Sequence, residues 1–257
     1  MTEGQWQAFC AFRDAYKAQC AAWDAQFGAA LRPLQQAAAR KDTPDYPLET
    51  AVVYNRAFDD VMPQDVIRYL VVGDNPGKDE QLAKNNRYLV GQSGKIAAGF
   101  FARNPDFQTD FRKNVLILNK TPVHTAKTAH LRQLARNGGA DIQRLIRTSQ
   151  TWTAEQTARL HAALCAAADA DNPPPELWLV GYAELKVKGN GIFLPYRDVL
   201  RAACPPDAWQ RVFVYQHFSM NRFLIDLKDF RTAHAECTVP EALHLLGERH
   251  RKEIFGG

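Results

Sequence analysis

Four short, unbroken apolar runs constrain this chain most: Val66–Val72, Val115–Leu118, Leu177–Val180 and Val212–Tyr215. Each has strand length, and none alternates apolar with polar residues as a half-exposed strand would. Continuous apolar strands are covered on both faces, which implies a parallel sheet between helical layers. Each run also ends in polar or turn-forming residues: Gly73-Asp74-Asn75-Pro76-Gly77, then Asn119-Lys120-Thr121-Pro122, then Gly181-Tyr182, then Gln216-His217. Open α/β folds place ligands outside the carboxyl ends of their strands, so the four ends point to one site. The expected fold is three-layer α/β/α with a central four-stranded parallel sheet.

The rest of the chain reads as cover. Residues 5 to 40 predict a helix in which Trp6, Phe9, Tyr16, Cys20, Trp23 and Phe27 recur mostly at three, four or seven places and form one core-facing stripe. Asp42–Pro47 is turn-rich. The first 45 residues are thus expected to be a helical N-terminal extension packed on a single domain spanning 1–257. A second helix is expected over Thr153–Ala170, stopped near Asn172-Pro173. Thr238-Val239-Pro240-Glu241 announces the last helix through a capping box with Pro in the first turn.

Composition is that of a globular chain, with 46% hydrophobic and 23% charged residues. No apolar run spans a bilayer, and the first residues lack the basic and apolar regions of a signal peptide. The five cysteines are scattered, with no C-x-x-C pair, so neither a disulfide framework nor a zinc site is expected. Reduced thiols in a cytoplasmic protein fit that pattern. The net charge of +4 is compatible with a nucleic-acid partner without requiring one.

Gly73-x-Asn75-Pro76-Gly77, Arg87-x-x-Val90-Gly91-x-x-Gly94, Asn119 and His217-x-Ser219, in that order, resemble the uracil-DNA glycosylase superfamily from Val66 to Arg222. The Arg-x-x-Val-Gly-x-x-Gly segment is similar to the bacterial and archaeal iron-sulfur branch. The Asn in the first motif is more like the single-strand-selective and mismatch-specific branches. Thr121 stands where one cluster cysteine of the iron-sulfur branch would fall, so no cluster, metal or other cofactor is expected.

The resemblance implies a DNA glycosylase acting on a flipped, deaminated base, most simply uracil, as a monomer on DNA. Asn75 would orient the attacking water through its amide oxygen, with Asp74 as a second candidate for the base. Asn119 would read O4 and N3–H of the base with its paired acceptor and donor. His217 would steady negative charge on O2 of the leaving base. Each has a plainer alternative: an Asx turn at Asn75, a turn cap at Asn119, a satisfied core histidine at His217. Gly73 would belong to the base-binding site, and Tyr88 or Leu89 would pack on the base where relatives carry an aromatic. Ser93 and Lys95 in the Gly-rich loop, with Ser219, Met220 and Arg222, would contact DNA, Met220 as a wedge. Phe218 replaces the proline that most relatives have after the histidine.

The same Gly-rich loop is not a nucleotide-binding loop. Leu89 occupies the place of its first Gly, and Ile96 follows Lys95 where Ser or Thr is needed. A basic loop, Lys186, Lys188 and Arg197 around Gly189-Asn190-Gly191, could track DNA or simply be solvated. No motif lysine is placed for a Schiff base. The competing readings are another lesion (hypoxanthine, xanthine, a mismatched base), a non-catalytic DNA-binding member, or a hydrolase of free nucleosides.

Overall fold

A computed structural model describes residues 1–256. Its elements, in chain order, are α1 (Glu3–Ala39), β1 (Tyr69–Gly73), α2 (Gln92–Arg103), β2 (Val115–Asn119), α3 (Thr128–Asn137), α4 (Gly139–Ala166), β3 (Glu176–Val180), α5 (Tyr182–Lys186), α6 (Leu194–Ala203), α7 (Pro206–Trp209), β4 (Val212–Tyr215), α8 (Arg222–Ala233) and α9 (Val239–Phe255). The strands form one parallel sheet in the order β2-β1-β3-β4. The protein is therefore α/β, with helical layers on both faces of a four-stranded parallel sheet.

Strand side chains alternate between the two layers. Leu70, Val72, Leu116, Leu118, Leu177, Leu179, Val212 and Val214 pack under α1, α3, α4 and α6. Tyr69, Val71, Val115, Ile117, Trp178, Val180, Phe213 and Tyr215 face α2, α8 and α9. Because both faces are covered, nearly every strand residue is buried, and that burial is why the runs lack alternation.

Helix α1 buries Phe9, Tyr16, Cys20 and Trp23 of the expected stripe, together with Phe12, while Trp6 and Phe27 are half-buried at its margin. It packs against α3 and α4. The strand expected from Val66 starts at Tyr69. The helix expected over 153–170 is longer: α4 begins at Gly139 and ends at Ala166. Its first half exposes Asp141, Gln143, Arg144 and Arg147 and buries Ile142, Leu145, Ile146 and Ser149, so polar residues dilute the apolar stripe on which the sequence reading relied.

The chain leaves β1 to pair β2 on one side, then crosses to β3 on the other. The order reverses between β1 and β3, so the loops after these two strands diverge and open a crevice at their carboxyl ends. No helix among the described residues is long and apolar enough to cross a membrane.

The N-terminus of α9 is closed by reciprocal bonds between Thr238 and Glu241, as the sequence pattern anticipates. Thr238→Ala is expected to lower stability by about 1 kcal/mol in chemical denaturation, with the denaturant dependence unchanged.

Candidate active site

The crevice is a cleft of about 610 Å³ lined by the ends of all four strands. Asp74, Asn75 and Gly77 come from the turn after β1, Asn119 from the end of β2, Gly181 from the end of β3, and Gln216 and His217 from the end of β4. Leu89, Ser93, Ser219, Met220 and Arg222 complete the wall with Glu80, Thr125, Lys127, Thr128 and Glu184.

Its floor is an ion pair. Lys120 is fully buried, and its ammonium donates to Asp74 Oδ1 at 2.7 Å, Val180 O at 2.7 Å and Gly73 O at 3.2 Å. Thr128 Oγ1 donates to Asp74 Oδ2 at 3.2 Å. Both oxygens of Asp74 are thereby engaged, which fixes its side chain at the bottom of the cleft. Gly181 has φ +108°, and a Cβ there would stand 2.6 Å from Asp74 Oδ1, so only glycine admits this pair.

Asn75 is held by its amide nitrogen. Nδ2 donates to Thr125 Oγ1 at 2.9 Å, Pro76 O at 3.2 Å and Thr125 O at 3.3 Å. Three acceptors around one end settle which end is nitrogen. The carbonyl Oδ1 is the end left without a protein donor among the described residues, in a side chain that lines the cleft.

Asn119 is only 2% exposed, yet its Nδ2 has no partner. A buried amide donor without an acceptor is unfavourable by about 1–3 kcal/mol, which is a reason to look for a ligand atom there. Its Oδ1 lies against Gly73, where a Cβ would sit 2.5 Å away, so the glycine ending β1 makes room for the amide rather than for a base. Glu80, which the sequence reading left unassigned, lies beside Asn119 without closing a hydrogen bond to Nδ2. Burial raises the Glu80 carboxyl to about 7, against the opposing pull of the Gly77 and Leu89 backbone N–H groups and the Asn119 amide.

His217 has a defined tautomer. Ser219 N–H donates to Nδ1 at 3.0 Å, and Ser219 Oγ stands 2.8 Å from the same atom. Nδ1 must therefore be the bare nitrogen, and Nε2 carries the proton. Burial lowers the pKa of the ring, opposed by Asp74 and assisted by Lys120, so the neutral donor form prevails. Phe218 has φ −65°, the value a proline would impose, because the ring is fully buried against Phe223. Met220 and Asn221 follow with φ +53° and +56°, a strained tip that leaves Met220 71% exposed at the lip.

No protein-family model, curated protein or solved structure matches this chain.

One expectation is corrected. Tyr88 does not reach the cleft: it is fully buried, and its hydroxyl donates to Val53 O at 2.6 Å and meets Tyr16 Oη at 3.3 Å. The next residue, Leu89, has φ +51°, so the chain turns and presents the leucine, not the tyrosine, to the cleft. Lys95 is exposed on α2 and lines no part of the cleft, one helical turn beyond the N-cap Gly91. Of the basic loop, Lys186 is engaged by Tyr182 and Glu253 and Arg197 by Asp198, so neither is a free cation. Thr121 is buried and bonded to Ser149 at 2.7 Å.

Glu80 was the residue within reach of sequence reasoning, since it ends the acidic stretch after the strand-end turn, and Glu80 N–H donates to Gly77 O at 3.2 Å. Thr125 and Thr128 carried no signal; they arrive only because the loop after β2 folds back over the first motif.

Two outcomes are expected. Lys120→Met should destabilise the protein by about 3–5 kcal/mol in denaturant titration, because it strands Asp74, and adding Asp74→Asn should recover part of that loss. The raised Glu80 pKa means that the folded state keeps a proton the unfolded chain has released, so stability should fall as pH rises from about 4.5 to about 7. Glu80→Gln should flatten that decline, gaining on the order of 1–3 kcal/mol over the parent above pH 7.

Proposed function

We propose that the protein is a monofunctional DNA glycosylase of the uracil-DNA glycosylase superfamily, hydrolysing the N-glycosidic bond of a flipped, deaminated base, most simply uracil. The observation that carries this reading is the polarity of the cleft. Asn119 with a buried, unpartnered amide donor, His217 with a neutral Nε2–H donor and Asn75 with an amide oxygen free of protein donors are lining residues of the same cleft.

The chemistry follows from those polarities. Bond cleavage pulls electrons onto the base and leaves positive charge on the sugar. Asn119 Nδ2, the end without a protein partner, donates to O4 of the pyrimidine. Cytosine presents the opposite pattern and is rejected. His217 Nε2–H donates to O2, where negative charge develops, and being neutral it does so without protonating the base. The Asp74 carboxylate, paired with Lys120, stabilises the cationic sugar. Asn75 Oδ1 places the water, which needs orientation more than deprotonation when the sugar is already cationic; the proton shed as its oxygen bonds the sugar carbon passes through solvent and balances the departing base anion. Met220 and Arg222 at the lip are the elements proposed to enter and hold DNA, with Ser93 at the N-terminus of α2 facing a phosphate. Lys120 is fully buried and paired, which argues against a lyase step through it. The proposed setting is a monomer in the cytoplasm.

One observation favours a broader choice of lesion. Leu89, not an aromatic ring, is the apolar wall, and Glu80 adds a carboxyl that can accept from, or when protonated donate to, a base edge. A panel of oligonucleotides carrying uracil, hypoxanthine, xanthine or a mismatch separates these specificities.

The test is single-turnover base release from a labelled uracil oligonucleotide, followed by alkali. His217→Ala should lower the rate by about 100-fold or more with DNA binding retained. Asn119→Asp should lower uracil release by about tenfold or more, because it replaces the donor with an acceptor. Parent-like behaviour of both variants would remove the basis of the reading.

A further inference from the structure

A second histidine lies behind the cleft, outside the motifs. His124 is fully buried on the loop after β2, and its Nδ1 stands 2.8 Å from Pro76 O. A carbonyl can only accept, so Nδ1 carries the proton and Nε2 is bare. Tyr46 Oη, 3.1 Å from Nε2, must then be a donor to it. The tyrosine thus selects the tautomer that lets the histidine donate. The low pKa of this ring, about 4 through burial, agrees with a neutral imidazole.

The ring is itself clamped. His124 N–H donates to Ala51 O at 3.0 Å, and Gln35 Nε2 from α1 donates to His124 O at 2.8 Å and to Ala51 O at 3.0 Å. Pro76 O, in turn, collects three donors: His124 Nδ1–H, Thr125 N–H at 3.2 Å and Asn75 Nδ2 at 3.2 Å. The shortest of the three comes from His124. Proline has no N–H, so its turn loses one possible internal bond and its carbonyl becomes the handle by which the turn is held.

We infer that His124, with its tautomer set by Tyr46, is a positioning residue that holds the Asn75–Pro76 turn and so aims Asn75 Oδ1 into the cleft. The inference rests on the glycosylase reading for its catalytic consequence, though not for the clamp itself. Asn75 shares both Pro76 O and Thr125 with this network. Loss of the His124 bond would let the amide shift, and a displacement near 1 Å at a reacting group lowers rates by up to about 100-fold.

The test compares His124→Leu, which fills the space without a donor, with His124→Asn, whose Nδ2 can stand where Nδ1 stood, and with Tyr46→Phe. In single-turnover release from a uracil oligonucleotide, His124→Leu should lower the maximal rate about tenfold or more while leaving half-saturation within about twofold. His124→Asn should return to within about threefold of the parent, with Tyr46→Phe between. Amide hydrogen exchange at Gly77–Glu80 should quicken in His124→Leu and stay near the parent in His124→Asn. A parent-like rate in His124→Leu, or no rescue by His124→Asn, would overturn the inference and make the ring mere filling. If His124→Leu does not fold, rescue by His124→Asn and the intermediate rate of Tyr46→Phe decide the matter. If the parent releases no base, the glycosylase reading fails separately, and unprotected Gly77–Glu80 amides in His124→Asn would still overturn the clamp.

Discussion

The structure turns on one buried ammonium. Lys120 follows directly on β2 and reaches across the sheet to Gly73 O at the end of β1 and Val180 O at the end of β3. At these strand ends the cation answers two carbonyls as well as Asp74, with Gly73 O also accepting from Lys120 N–H at 3.0 Å. The aromatic face of Phe193 lies 5.0 Å from the same nitrogen. A fully buried lysine is tolerated only when its charge is met from several sides, and here the surrounding groups define the cleft floor. The glycine at 181 and the carboxylate at 74 follow from that arrangement: the first leaves space for the pair, the second balances it.

Above this floor the cleft is built by fixing one end of each polar group and leaving the other free. Asn75 is tied through nitrogen and shows oxygen. His217 is tied through Nδ1 and shows Nε2–H. Asn119 is packed through its oxygen side against Gly73, and its buried nitrogen beside Glu80 has no partner. Asn75 and His217 are preorganised by protein bonds on the far side, so the proposed reaction would need little reorganisation of either. The same logic extends outward through Pro76 to His124 and Tyr46, where a half-buried tyrosine decides the direction of a bond from the histidine to the motif.

Much of this was legible. The four apolar runs mark the sheet to within a few residues, since strands covered on both faces cannot alternate. Turn residues after each run place Asn75, Asn119 and His217 at the strand ends, and the structure puts all three in one cleft. Phe218 was harder to interpret, because the sequence shows a missing proline but not the pocket that holds a phenylalanine at the same φ. Tyr88 misled for a related reason. Its side chain could have faced either way, and the left-handed backbone at Leu89, supported by Arg112 donating to the Tyr88 and Leu89 carbonyls, decided for the core.

Composition, hydrophobic period and turn chemistry determined the layers, the parallel sheet and which polar residues stand at its edge, because those depend on near neighbours in the chain. Only the tertiary structure decided what each polar group can do. Whether Asp74 is free or paired, which nitrogen of His124 bears a proton, and whether Glu80 keeps its own depend on partners tens of residues away and on exclusion of water. Local sequence carries no record of either.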